Sequence, residues 1–376
     1  MNPFSRRFFL FGSTAAVAAK APPRKVLICL IDGLGLEYVA KSDMPALRRL
    51  MREGTYREGR GMMPSLTNVN NASLATGTYP ERHGVTANTF FDPAMGRVVE
   101  MADRKYLLAP TLFESAHRKG WKTAFVGAKD KIRTLVGTAA QTSRSAEQEG
   151  VPMYEAANSY WVMEQGRAAL RRKDVDLLYL TTSDYMMHTY GPGEEQSLEH
   201  LHVLDRHLAG IVDDHPGLEL YLCADHGMNE KQVAVNPARV LSESGIGARV
   251  VAAIADKHKL HHRDLGGSLY VDLERPEQVI EAKRVLESEP GIEAVLPRAE
   301  ACRRFRLLPE RTGDLFVSAD RDTAMGEIPR RRVNVKVRTH GSLHEAGIPL
   351  LVYGRKMGAM ESSVDLTAGR PWEGGA

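Results

Sequence analysis

Six side chains able to bind a metal ion fall in short motifs behind apolar runs. They are Asp32 in Asp32-Gly33, Asp184 and His188 in Asp184-Tyr185-Met186-Met187-His188, Asp225 and His226 in Asp225-His226-Gly227, and His340 in His340-Gly341. Taken singly, an aspartate behind a strand most often caps a helix, and a lone histidine is usually satisfied locally. Recurring at equivalent places, carboxylate and imidazole together suit zinc or a similar transition ion, which takes three or four N/O donors and keeps a position for substrate. There are donors enough for two ions, and a pair about 4 Å apart clamps the attacking and leaving oxygens of an in-line displacement at phosphorus. Such chemistry needs a nucleophile. The stretch Met63-Pro64-Ser65-Leu66-Thr67-Asn68 sets a hydroxyl just ahead of an expected helix, where backbone N–H groups and the helix dipole favour an anion. An alcohol is scarcely ionised at neutral pH; metal coordination, which takes bound water from about 15.7 to about 7, is what would make Thr67 an alkoxide. Without the metal ligands, Ser65 or Thr67 would read simply as a helix cap.

Elements must bring these motifs together. Residues 25–31 form a continuous apolar run ending at Asp32-Gly33, the pattern of a strand buried on both faces. Similar runs at 123–126, 175–180 and 219–223 alternate with helical stretches such as 44–52 and 198–212. That alternation predicts an α/β fold, a parallel sheet with helices on both faces, and such sheets hold ligands at their strand ends. After about residue 235 the texture changes. Residues 250–255, 268–273, 276–288, 292–297 and 314–318 read as strand, strand, helix, strand and strand, a smaller α+β insert. Residues 338–341 and 348–353 then return the chain to the main sheet. The expected division is a catalytic core at 22–235 and 333–376, interrupted by the insert at 236–332.

A chain of 376 residues exceeds what one hydrophobic core usually fills, in keeping with that division. Hydrophobic residues at 43% and charged residues at 26% are ordinary for a globular protein, and a net charge of +3 is too small to point to a nucleic-acid polymer or an anionic membrane as partner. Ser5-Arg6-Arg7-Phe8-Phe9-Leu10, followed by an uncharged run to Ala19, reads as a twin-arginine export signal over residues 1–21. The run is well short of the roughly 20 residues that span a bilayer, so a stable membrane anchor is not expected and a periplasmic, exported location is. Cys29, Cys223 and Cys302 show no CxxC spacing. They indicate neither a disulfide framework nor a cysteine zinc site. Cys29 and Cys223 read as small buried hydrophobes, with one Cys29–Cys223 bond as the alternative.

Beyond the single motifs, the ordered set resembles the type I phosphodiesterase and nucleotide pyrophosphatase branch of the alkaline phosphatase superfamily, and within it the phosphonoacetate hydrolases. The resemblance rests on Met63-Pro-Ser-Leu-Thr-Asn-Val-Asn-Asn71, His83-Gly84 with Asn88, Ala128-Lys129-Asp130-Lys131, Thr182-Ser-Asp184-Tyr with His188, Ala224-Asp-His-Gly-Met228, Gly313-Asp-Leu315 and Arg338-Thr-His340-Gly341. It implies an alkaline phosphatase-like core with the insert as a cap. It further implies two zinc ions, one held by Asp184, His188 and His340 and the other by Asp32, Asp225, His226 and Thr67, with other divalent transition metals as substitutes. Asn88 would donate to a phosphoryl oxygen. Two Zn²⁺ against three aspartates and a Thr67 alkoxide sum to neutral, so further cations would help to bind a dianion. Lys129 and Lys131 are the candidates, implied to meet the carboxylate and phosphonate of a small acid; the alternative is a pair of solvated lysines on a surface turn. Leu66 and Val69 stand where Phe and Pro are associated with this motif in phosphonoacetate hydrolases.

The implied reaction is hydrolysis of the C–P bond of phosphonoacetate through a phospho-threonine at Thr67. Two alternatives stand beside it: a nucleotide pyrophosphatase or phosphodiesterase acting on a larger phosphate ester, and a periplasmic metal-binding protein without turnover.

Overall fold

The computed structural model describes residues 25–255, 257 and 259–370; the expected export signal lies outside the described residues. Seven strands form the central sheet: β1 (Val26–Leu30), β2 (Thr55–Arg60), β3 (Thr123–Gly127), β4 (Thr142–Ser145), β5 (Leu177–Thr181), β6 (Glu219–Cys223) and β7 (Gly347–Tyr353). Their order is β2-β7-β6-β1-β5-β3-β4. The run β6-β1-β5-β3-β4 is parallel throughout, and only β7 runs against its neighbours.

Strands β1, β3, β5 and β6 are buried at every residue, which is why they read as unbroken apolar runs. Successive side chains leave a strand on opposite faces, so neighbouring residues of β5 report both sides. Tyr179 bonds through its hydroxyl to Asn71 Oδ1 (2.9 Å) on the helix Thr67–Thr76. On the other face Leu180 packs so closely on the helix Ala157–Arg171 that a Cβ at Gly166 would lie 2.6 Å from its Cδ1. The helices Glu195–Asp214 and Pro45–Glu53 extend the covering, and the latter reaches β7. The α/β fold expected from the alternation is therefore the fold observed.

The insert holds a four-stranded antiparallel sheet of Ala248–Ala252, Ser268–Leu273, Leu315–Ala319 and Ile292–Pro297, with the helix Val279–Glu287 packed on it around a separate small core. One assignment needs correcting. Residues 338–341 do not return to the main sheet: Arg332–Thr339 pairs with Asn229–Val235, which also pairs with Thr323–Met325, in a three-stranded sheet of its own. Its sequence explains this, because Arg332, Asn334, Lys336 and Arg338 alternate with Val333, Val335 and Val337. Such alternation suits a half-exposed ladder, not a strand buried on both faces. Among the described residues no helix is long and apolar enough to cross a membrane.

Register also decides the cysteine question. Cys29 pairs with Leu222, and Cys223 with Leu30. Paired residues share a face and successive ones alternate, so the two thiols leave the sheet on opposite sides. Burial pushes the Cys29 thiol up to about 12, so it is unreactive in the folded protein. Unfolding the protein in denaturant without reductant should expose three titratable thiols, one for each free cysteine; a titre of one would mean that Cys29 and Cys223 had bonded.

Candidate metal centre

The three central strands set the carboxylates side by side. Leu30 pairs with Thr181 on one side and with Cys223 on the other, so β5, β1 and β6 end level. Asp32, Asp184 and Asp225 follow these ends within a few residues, and all three are buried. Sharp local backbone makes the approach possible. Gly33 has φ +78°, and a Cβ there would lie 3.1 Å from Asp184 Cβ; a Cβ at Gly35 would lie 2.7 Å from Gly227 Cα. The Asp-Gly and Asp-His-Gly motifs thus have a steric reason for their glycines.

Three histidines complete the cluster with a common orientation. His188 Nδ1 donates to Arg338 O (2.6 Å), His226 Nδ1 to Gly227 O (2.9 Å) and His340 Nδ1 to Ser65 O (2.8 Å). A carbonyl can only accept, so each ring carries its proton on Nδ1 and turns a lone pair inward on Nε2. Asp184 lies between two of them: its Oδ2 is 3.1 Å from His188 Nε2 and 3.7 Å from His340 Nε2. His226 Nε2 lies 3.2 Å from Asp225 Oδ2 and 3.5 Å from Asp32 Oδ1. The rings of His226 and His340 stack at 3.4 Å. Burial holds His226 below its usual pKa; burial, and then the His226 and His188 rings, hold His340 well below. Both stay neutral with the lone pair available.

Residues of this kind packed this closely fit a divalent cation. Donor atoms of Asp32, Asp225 and His226 lie within 4.8 Å of one another, as do those of Asp184, His226 and His340, and those of Asp184, His188 and His261. Asp32 Oδ1 and Asp225 Oδ2 are buried without a hydrogen-bond partner, a costly state for ionised oxygens unless a cation meets them. The other Asp225 oxygen, Oδ1, accepts from the backbone N–H of Gly33 (3.1 Å) and His226 (3.0 Å), which fixes Oδ2 toward the cluster. Burial is the first cause that pushes Asp225 up to about 6. Burial and the neighbouring Asp184 and Asp225 raise Asp32 well above the usual carboxylate range.

Lys129 braces the cluster. Its ammonium donates to Asp32 Oδ2 (2.9 Å) and Asp184 Oδ1 (2.6 Å), leaving the opposite oxygen of each carboxylate to face the imidazoles. Burial alone would lower the Lys129 pKa, but Asp184 and Asp32 outweigh it and raise it. Against burial, Lys129 holds Asp184 well below its usual value. Asp32 moves the other way although it shares Lys129, because burial and the neighbouring Asp184 and Asp225 outweigh that ammonium. Lys131 is buried as well, at 4% exposure against 5% for Lys129, so neither lysine stands on a surface turn.

Thr67 is the first residue of its helix, and Leu66 at the cap makes no side-chain capping bond. Its Oγ1 is 3.4 Å from His226 Nε2, at the edge of the cluster. Ser65 does not cap either; its hydroxyl donates to Ser342 O (2.7 Å) and accepts from Gly341 N–H (3.2 Å), tying the loop before Thr67 to the loop that bears His340. Asn88 Oδ1 accepts from Asn68 N–H (3.2 Å), which marks Nδ2 as the donor end of that amide, and its own N–H bonds Ala253 O of the insert (2.9 Å).

Sequence reasoning missed two parts of this site. Glu345 was not singled out, yet it accepts from Lys231 (2.8 Å), Asn229 (2.6 Å) and Ser342 Oγ (2.7 Å), while its backbone carbonyl takes the N–H of Gly227 (2.6 Å). It thereby joins the loops of His226 and His340. No motif marks it. His261, from the short insert helix Lys259–His262, was missed too, although Lys257-His258-Lys259-Leu260-His261-His262 carries a visible histidine signal.

The comparisons with known proteins agree with the fold and the motifs. Residues 26–343 match the family described as type I phosphodiesterase / nucleotide pyrophosphatase, and the chain belongs to that family. Phosphonoacetate hydrolase from Sinorhizobium meliloti, solved in complexes with phosphonoformate and with phosphonoacetate, is 30% identical, with a TM-score of 0.82 over 92% of this chain and 94% of its own. Murine ectonucleotide pyrophosphatase / phosphodiesterase 5 shares the fold at 18% identity, with a TM-score of 0.69. Ectonucleotide pyrophosphatase/phosphodiesterase family member 1 of Homo sapiens is 27% identical over 56% of this chain and 24% of its own length. The chain thus spans about a quarter of the curated relatives it matches. These named relatives are hydrolytic enzymes.

Lys231 and Glu345 are both fully buried. Glu345→Ala would leave that ammonium without its carboxylate and is expected to cost about 3–5 kcal/mol, read from the denaturation midpoint. Unchanged stability would mean that the pair does not hold these loops.

Proposed function

We propose that this chain hydrolyses a small phosphonate at phosphorus, with Thr67 as nucleophile and phosphonoacetate as the preferred substrate. The observation that carries the reading is the position of Thr67: a hydroxyl at a helix start, 3.4 Å from His226 Nε2 at the edge of the carboxylate and imidazole cluster. Likeness across nearly the whole chain to a phosphonoacetate hydrolase supports the choice of substrate. Asp184, His188 and His340 would hold one zinc ion and Asp32, Asp225, His226 and Thr67 a second, supplying Lewis acidity and the positive charge that ionises the Thr67 hydroxyl.

Thr67 Oγ1 attacks phosphorus in line with the carbon leaving group, assisted by the N–H groups of its helix start. As the O–P bond forms, the C–P bond breaks, and its electron pair passes to the methylene carbon and on into the substrate carboxylate as an enediolate. Protonation at carbon gives acetate. Water then cleaves the phosphate from Thr67 and restores the hydroxyl. Asn88 Nδ2 donates to a phosphoryl oxygen as its charge grows, and Lys131, with the remaining N–H of Lys129, offsets charge on the substrate. Lys129 also keeps Asp32 and Asp184 apart and aimed. The insert at 236–332 serves as the cap, touching the site through Ala253 and Asn88. The export signal at 1–21 would carry the folded enzyme to the periplasm.

One observation favours a second reading. A cavity of about 490 Å³ beside His188, lined by Tyr154, Tyr185, His261 and Arg263 among others, is roomier than phosphonoacetate needs. It would suit the larger leaving group of a phosphodiester or nucleotide.

With purified, zinc-loaded protein, phosphonoacetate should release inorganic phosphate. If it releases none while a nitrophenyl phosphodiester is cleaved, the second reading replaces the first. Thr67→Ala should lower turnover by at least about 1,000-fold, as loss of a nucleophile does, while elemental analysis still finds two metals; surviving turnover would remove Thr67 from its role.

A further inference from the structure

His261 is unlike the other histidines of the site in where it comes from. His188 lies in the short helix Tyr185–Thr189 that follows β5, and His226 and His340 follow β6 and the strand Arg332–Thr339, whereas His261 belongs to the short helix Lys259–His262 of the insert. That helix packs against the helix Tyr185–Thr189 and the strand Arg332–Thr339, the two elements that also position His188. Its ring centroid lies 4.3 Å from that of His188, and one ring nitrogen falls within 4.8 Å of both an Asp184 oxygen and a His188 nitrogen. The Tyr154 ring lies 5.7 Å away, centroid to centroid.

The hydrogen bonding of His261 is incomplete where that of the others is complete. Each of the other three rings is pinned by a backbone carbonyl at Nδ1. His261 Nδ1 is buried without any partner. A buried ring nitrogen left unpaired costs about 1–3 kcal/mol, so a fold that keeps one generally has a use for it.

We infer that His261 is a metal ligand: the insert donates its imidazole to the ion held by Asp184 and His188, fastening the insert to the core through that ion. This rests on the two-metal reading proposed above. Zinc can take a fifth donor, so a fourth protein ligand on this ion leaves a position for substrate. The consequence concerns the insert. The helix Lys259–His262 already packs on the core, and a shared ion would hold it there more tightly.

Cobalt(II), which replaces zinc and has a visible spectrum, gives the test on the full chain. For the parent protein, chelator competition should show two bound ions. His261→Ala should weaken one of them by at least about 10-fold, the loss seen when even an outer partner of a metal ligand is removed, and should leave the other unchanged. His261→Cys places a thiolate at the same position and should give a sulfur-to-cobalt charge-transfer band absent from the parent protein. Matched thermal unfolding of the metal-free variants guards against a simple folding defect. Cobalt affinities in His261→Ala equal to the parent's would overturn the assignment, as would the absence of the charge-transfer band in His261→Cys. A parent protein that binds no cobalt would overturn the two-metal reading beneath it.

Discussion

Three carboxylates buried against one another at the ends of adjacent strands are the constraint on which the rest of this structure depends. Like charges in a medium of low dielectric repel strongly, and an unpaired carboxylate is costly to bury at all. The fold meets the problem in two ways. Lys129 supplies one fixed positive charge, shared between Asp32 and Asp184. Neutral imidazoles supply lone pairs, and the oxygens that remain without partners call for a cation. Much of the surrounding architecture follows from keeping these groups close: strand ends that are level, glycines where backbones touch, and carbonyls that hold each ring.

That arrangement also explains why loops far apart in sequence are stitched so firmly. Ser65, Ser342 and Glu345 link the loop before Thr67 to the loops of His340 and His226. A nucleophile beside a metal cluster must be held within a fraction of an ångström of its productive place, and that precision comes from packing and hydrogen bonds around it. Here much of it is electrostatic. The buried Lys231–Glu345 pair sits under the loops and not in the reaction path, a stabilising element set where the site itself is under strain from its own charges.

How far the sequence could be read follows from what each part depends on. The central strands were legible because burial on both faces leaves an unbroken apolar run, as in β1 and β6. Asp32, Lys129, Asp184 and Asp225 were legible because each follows such a run. What could not be read was pairing between distant segments. Residues 338–341 were assigned to the main sheet, yet the alternation of polar and apolar residues through Arg332–Thr339 suits the small sheet it joins with Asn229–Val235. Glu345 could not have been found, since its importance lies in four partners brought to it by the fold. Lys129 was expected to face a substrate; the structure shows that its two shortest bonds brace the carboxylates. His261 was visible as a histidine, but nothing in its neighbours ties it to His188.

The central claim is that the strand-end aspartates and their histidines hold two ions that act on a substrate at Thr67. The most direct measurement is anomalous diffraction at the zinc edge from crystals grown with zinc. The account predicts two peaks, one among Asp32, Asp225 and His226 beside Thr67 and the other among Asp184, His188 and His340. It would be contradicted by a cluster in which no zinc peak lies among these side chains, with Lys129 as their sole cation.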